Sequence, residues 1–199
     1  MGKILGLVVL VMVVFGGFSC VGNYNKLVRL GQSVDGQWAQ VENAYQRRTD
    51  LIPNLVETVK GAAKFEQGTL VAVTEARAKV GQISPQATEK LVNDPAAFQK
   101  FQQAQDGLSS ALSRLLVVSE KYPELKATQS FRDLQVQLEG TENRISVERM
   151  RFNQTAQEFN TVRDSFPTTV VAGMFGQRFA EKAYFHAQAG ASTPPQVKF

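Results

Sequence analysis

The chain has 199 residues, with 22 lysines and arginines against 18 aspartates and glutamates, for a formal net charge of +4. That excess is mild and interspersed, so the basic patch of a nucleic-acid binder is missing. Cys20 is the sole cysteine, which excludes an internal disulfide and a thiolate cluster for metal.

Residues 4–18 are apolar or glycine throughout, and two kinds of anchor fit them. In the first, Lys3 is a short positive region and Ile4 to Phe15 an apolar core. Gly17-Phe18-Ser19-Cys20 is then a lipoprotein cleavage site with acylation at Cys20. In the second, Ile4 to Val21 is an uncleaved transmembrane helix of about 27 Å, short for a bilayer core of about 30 Å. Lys3 precedes the run, and Lys26 and Arg29 follow it. If the run stays uncleaved, that bias puts the domain on the cytoplasmic side. An acylated chain faces the periplasm or the cell exterior, and this is the preferred expectation.

From Val34 the inward positions run Trp38, Val41, Tyr45, Arg48, Ile52, Leu55 and Val59, then Glu66, Thr69, Val73 and Val80. Alternating steps of four and three mark a helix packed along one stripe. Because the phase continues through Pro53, the pattern predicts one long bent helix, or two nearly collinear ones, over residues 24–80. Ser84-Pro85 and Asn93-Asp94-Pro95 are helix starts, each a capping side chain followed by proline at the first position. The helix after Pro95 carries Phe98, Phe101, Gln105, Leu108, Leu112, Leu115 and Val118 on one face. Tyr122-Pro123-Glu124 marks a turn. From Phe131 the seam is Leu134, Leu138, Thr141, Ile145, Glu148, Phe152, Thr155, Phe159, Val162 and Phe166, stopped by Pro167.

Long amphipathic segments in a chain of this size predict an all-α protein, an antiparallel bundle of long helices behind an N-terminal membrane anchor. The alternative, a two-stranded coiled coil, suits the short, well-capped connections poorly. Three parts are expected: an anchor over residues 1–21, the bundle over 22–167, and a glycine- and aromatic-rich tail over 168–199 packing on it. The final Val197-Lys198-Phe199 also fits, weakly, a groove that captures a terminal carboxylate.

The most distinctive polar block is Arg47-Arg48-Thr49-Asp50-Leu51-Ile52-Pro53-Asn54. Arg48 falls on the inward stripe, where arginine is rare unless paired, and a seam glutamate (Glu66 or Glu148) is the expected partner. Asp50 can pair with an arginine, and Thr49 or Asn54 can serve carbonyls freed by Pro53. The competing reading makes Arg47, Arg48, Asp50, Pro53 and Asn54 a ligand or partner site at the bend. Arg144, Arg149 and Arg151, among Glu142 and Glu148, read as a solvated helix face. His186 is the sole histidine, so a Glu-x-x-His di-metal site and histidine-assisted hydrolysis both lack their parts. Neither phosphate-cradling glycine motif occurs, and no nucleotide or other cofactor is expected.

Several ungapped blocks occur in order: Tyr24-Asn25-Lys26-Leu27-Val28, Trp38-Ala39-Gln40-Val41-Glu42, Gln46 through Val56, Tyr122-Pro123-Glu124-Leu125, Arg144 through Arg149, and Phe152-Asn153. With the tail Pro167…Phe175-Gly176…Phe185…Val197-Lys198-Phe199, they resemble the LemA family of bacterial membrane-anchored helical proteins. The resemblance spans residues 24–199. It implies long antiparallel helices behind one membrane segment, and it brings no catalytic residues. The expectation is a non-enzymatic scaffold or adaptor at the cell membrane. Its partners are the membrane and other envelope proteins, met through helix faces or the C-terminal tail. A sensor with a small-ligand pocket opened at the Pro53 bend is the alternative.

Overall fold

A computed structural model of the chain describes residues 2–61, 66–83 and 91–186. Six α-helices occur in that span: α1 (Gly2–Lys60), α2 (Gln67–Gln82), α3 (Pro95–Ser119), α4 (Pro123–Ala127), α5 (Gln129–Asp164) and α6 (Thr168–Phe175). A 3-10 turn (Gly176–Phe179) follows, and no strand occurs among the described residues. The Ser84-Pro85 helix start and the Val197-Lys198-Phe199 end lie outside the described residues.

The helix starts follow local chemistry. Asp94 accepts hydrogen bonds from the backbone N–H groups of Ala96 (2.9 Å) and Ala97 (3.1 Å), with Pro95 at the first turn of α3. Those N–H groups have no partner inside the helix, and the side-chain oxygen supplies one. Thr128 caps α5 by accepting from Phe131 N–H.

Two apolar clusters fix the directions of the helices. The lower one joins Ile52, Leu55 and Val59 of α1 with Leu70 and Val73 of α2, Leu108, Leu112 and Leu115 of α3, and Phe131, Leu134 and Leu138 of α5. The upper one joins Leu27, Val34, Trp38, Val41 and Tyr45 with Phe98, Ile145, Phe152 and Phe159. Residue numbers descend the bundle along α1 and α3 and climb it along α2 and α5, so the four long helices alternate in direction. The all-α antiparallel bundle expected from the sequence is the fold observed.

One expectation for the helices is overturned. α1 and α2 are not collinear: α1 ends at Lys60, and α2 returns antiparallel to it, with Leu70 near Val59 and Val80 beside Thr49. Gly61 terminates α1, its N–H reaching back to the Glu57 carbonyl at 3.2 Å. A glycine directly after a last-turn lysine is the usual end of a helix. Pro53, by contrast, sits exposed within a helix that runs on past it.

Above the bundle, α1 extends as a bare rod. The described side chains from Lys3 to Ser19 are all exposed, and the first fully buried one is Leu27. After α5 the chain reverses at Pro167. α6 packs across α1 and α5, and residues 180–186 run extended down the groove between α3 and α5.

Candidate functional site

Arg48 is wholly buried at mid-height. Its guanidinium donates to Glu142 Oε1 at 2.8 Å, to the Ser109 hydroxyl, to the Gln105 side-chain carbonyl, and to the Gln105 backbone carbonyl at 3.3 Å. The Arg48 Nε–H has no partner among the described residues. The pairing therefore differs from the one the seam suggested. Glu66 lies exposed ahead of α2. Glu148 is buried but receives Gln37 (2.8 Å), Arg151 (3.3 Å) and Arg144 (4.0 Å) instead. Glu142 serves Arg48 from a half-exposed position, six residues before the seam glutamate, keeping part of its hydration while the arginine loses all of its own.

The rest of the polar block does not converge on Arg48. Arg47, Asp50, Pro53 and Asn54 are exposed. Asp50 accepts from Gln46 Nε2 at 2.7 Å rather than pairing with an arginine. The carbonyl that Pro53 leaves without its usual donor is that of Thr49. The Thr49 hydroxyl donates to Tyr45 C=O at 3.0 Å, so it does not compensate there.

A cavity of about 350 Å³ opens one to three turns before Pro53, not at it. It is walled by Glu42, Tyr45, Gln46 and Thr49 of α1, Val80 at the end of α2, and Phe101 and Gln105 of α3. Tyr45 is 4% exposed, and its hydroxyl finds no hydrogen bond of good geometry among the described residues. Burial pushes the Tyr45 phenol up to about 12, while the nearby Arg149 and Arg48 charges pull it the other way. The phenol is thus a neutral donor at any physiological pH.

Arg149 corrects another expectation. Arg144 and Arg151 do keep to near neighbours on α5. Arg149 instead crosses to Asp106 of α3 at 2.9 Å and lies over the Phe185 ring, 4.6 Å from its centroid.

Sequence reasoning missed the side-chain amides that hold residues 182–186. Asn160 donates to Lys182 C=O and accepts from Lys182 N–H, both at 2.9 Å. Asn153 does the same for Phe185, also at 2.9 Å each way. Gln102 of α3 donates to His186 C=O at 2.7 Å and accepts from His186 N–H at 3.2 Å. An extended segment with no strand beside it has its backbone served by amides, which carry a donor and an acceptor at the spacing of a peptide group. The hold places Phe185 against Trp38 (6.0 Å between centroids), Phe98 (4.7 Å) and Phe152 (5.6 Å). A signal existed: Phe152-Asn153 and Phe159-Asn160 are the same dipeptide, seven residues apart. His186 itself is exposed, and its bonds to Gln102 are made through its backbone.

Among the described residues no group of three or more His, Cys, Asp or Glu is placed to hold a metal ion. Cys20 is half-buried against the upper core. The apolar stretch of α1 has a mean hydropathy of 2.0 over 18 residues, none of it buried.

Fold and site together define an all-α bundle protein whose N-terminal helix is long and apolar enough to cross a membrane. The LemA family model matches residues 37–199, and the chain belongs to the LemA family. Magnetosome protein MamQ of Magnetospirillum gryphiswaldense is 26% identical over 191 residues, covering 87% of this chain and 70% of that protein. MamQ 2 of Paramagnetospirillum magneticum is 25% identical over 185 residues, covering 86% and 67%. Protein LemA of Metamycoplasma hominis is 24% identical over 155 residues, covering 78% and 66%.

Proposed function

We propose that the chain is a non-enzymatic, membrane-tethered scaffold or adaptor for envelope proteins. The observation that carries this reading is the join of anchor and bundle. The exposed apolar run of α1 ends at Val21 and Leu27 of the same helix is fully buried, so under either anchor the bundle begins at the lipid surface. The buried polar groups support it too. Arg48 is bonded to residues of α3 and α5, Arg149 to Asp106 of α3, and the amides to the tail backbone, so these groups join elements of the fold. The bundle presents exposed apolar side chains on its flanks, among them Val117 (69%), Val136 (67%) and Met150 (55%), where partner helices can pack.

The preferred anchor is acylation at Cys20, with the domain outside the cytoplasm. In its favour, the described side chains before Cys20 contribute nothing to the core, so cleavage there takes nothing from the bundle. Intact-mass measurement of the membrane form separates the anchors. A diacylglyceryl adduct on a chain starting at Cys20 supports the lipoprotein, and an unmodified chain starting at Met1 rejects it. For the scaffold, crosslinking in intact membranes followed by purification should recover a reproducible set of envelope proteins. That set should shrink for Val136→Glu or Met150→Glu; capture unchanged by every flank substitution would count against a scaffold.

The cavity beside Tyr45 favours a second reading, a small-ligand sensor. A neutral phenol with an unused donor, side-chain amides, the Glu42 carboxylate and apolar walls suit a small polar molecule that offers an acceptor oxygen and a donor. Thermal shift against a metabolite panel tests it, a hit having to vanish in Tyr45→Phe.

A further inference from the structure

We propose that α6 is a second membrane contact, its outer face lying in the lipid interface beside the anchor. In water a surface helix carries a polar outer face, and on α6 the one exposed polar side chain is Thr169. Its eight residues include no charge. Thr168, Val171 and Ala172 are buried against the bundle, while Val170 (54% exposed), Met174 (71%) and the preceding Phe166 (84%) point away from it. Apolar but for its two threonines, α6 leaves Val170, Met174 and Phe166 in need of an apolar cover on the outer side.

Its position says what that cover is. The Thr168 hydroxyl donates to Asn23 Oδ1 at 3.0 Å, and Phe175 packs on Tyr24 at 4.8 Å between ring centroids. The exposed apolar run of α1 ends two residues earlier, at Val21. Whether Ile4 to Val21 spans the bilayer or Cys20 carries acyl chains, the lipid surface meets the chain at this level, and α6 lies there with it. The flanking chemistry is interfacial. The Arg178 guanidinium sits 5.3 Å from the Tyr24 ring centroid, an aromatic and a long cation at headgroup depth. Lys26, Arg29, Arg163 and Arg178 lie at this end of the bundle against Asp164 and Glu181, a basic excess suited to anionic headgroups. A short apolar helix held parallel to the surface adds contact area to the anchor and fixes how the bundle stands on it.

This inference rests on the anchored reading, and its test keeps the two apart. Full-length chain is reconstituted into vesicles of phosphatidylcholine and phosphatidylglycerol, with or without bromine on the acyl chains, and recovered by flotation. Tryptophan reporters are placed by Met174→Trp, by Phe166→Trp, and by Val136→Trp low on α5 as the control, with the signal of the buried Trp38 subtracted. The reporters at 174 and 166 should emit at shorter wavelength than the control and lose most of their emission in brominated vesicles, while the one at 136 loses little. Vesicles that float without the chain would overturn the anchored reading and this one with it. Flotation with equal quenching at all three positions would overturn the α6 contact alone. A blue-shifted but unquenched reporter at 174 would place protein on this face, a second copy or the chain's own last residues, and would also overturn it.

Discussion

At the scale of single residues, Arg48 shows how a charge is kept inside an apolar bundle. Three acceptor side chains and one carbonyl surround it, and only Glu142 among them carries charge. Arg48→Ala strips the donors from Gln105 and Ser109 and leaves a void, so a loss of about 3–5 kcal/mol is expected in urea unfolding followed by circular dichroism. Arg48→Met fills the space without the charge and should cost distinctly less. Glu142→Gln keeps an acceptor at a site open to water, where screening holds the loss to about 1 kcal/mol. Equal losses for Ala and Met at 48 would refute this account. Lys182 makes a pH prediction. The residue is 5% exposed, its amine is bonded to Asn93 Oδ1 at 2.6 Å and lies 5.0 Å from the Phe159 ring centroid, and burial lowers its pKa despite the opposing pull of Asp35. Between the lowered folded value and the ordinary 10.5, the unfolded chain binds more protons than the folded one. Stability from this group therefore rises with pH through that window. Subtracting the Lys182→Met stability curve from that of the native chain should isolate an upward slope; a flat or falling difference refutes it.

At the scale of elements, the inward stripe of α1 was legible because every fourth or third side chain from Val34 to Val59 is buried. What misled was the phase surviving past Gly61. Two antiparallel helices that face one core carry the same period, and the residues joining them happen to preserve the count. The breaker was in view at Lys60-Gly61, while Pro53 drew attention to a helix that does not end. On α5 the predicted seam drifts: beyond Phe152 the buried positions are Ala156, Phe159 and Asn160 rather than Thr155, and Phe166 turns outward. A straight helix slips by about 20° per heptad against a 3.5-residue repeat, which moves burial one residue later. That slip brings Asn160 inward to hold the tail, a role no apolar pattern displays. Asn153→Ala removes both bonds to Phe185, one of them to a backbone N–H left without a substitute. A loss of about 1–3 kcal/mol and faster hydrogen exchange at Phe185 are expected. Phe185→Ala, opening a hole beside Trp38, should cost about 3–5 kcal/mol and shift tryptophan emission to the red. An unshifted spectrum would mean the tail does not occupy this groove in solution.

At the scale of the whole molecule, the bundle's height follows from α1. From Leu27, the first fully buried side chain, to Lys60 is 33 residues of rise, about 50 Å. Two helix diameters across give about 20–25 Å. An upright and a recumbent bundle therefore differ about twofold in the layer they form. On the anchored reading, the short helical step from Cys20 to Leu27 and the contacts of Thr168 and Phe175 with Asn23 and Tyr24 brace the bundle at the lipid surface under either anchor. An upright bundle also raises its lower end, where α4 and Gly61 lie, to reach partners far from the lipid. Neutron reflectometry of the full chain in a supported bilayer should find a protein layer about 50 Å thick. Inserting two glycines after Gly22 interrupts α1 above the core without removing a buried side chain, and helix continuity predicts a thinner, more diffuse layer with unchanged unfolding. A layer of about 20–25 Å in the native chain would lay the bundle flat along the lipid and remove the geometric basis for a scaffold that reaches outward.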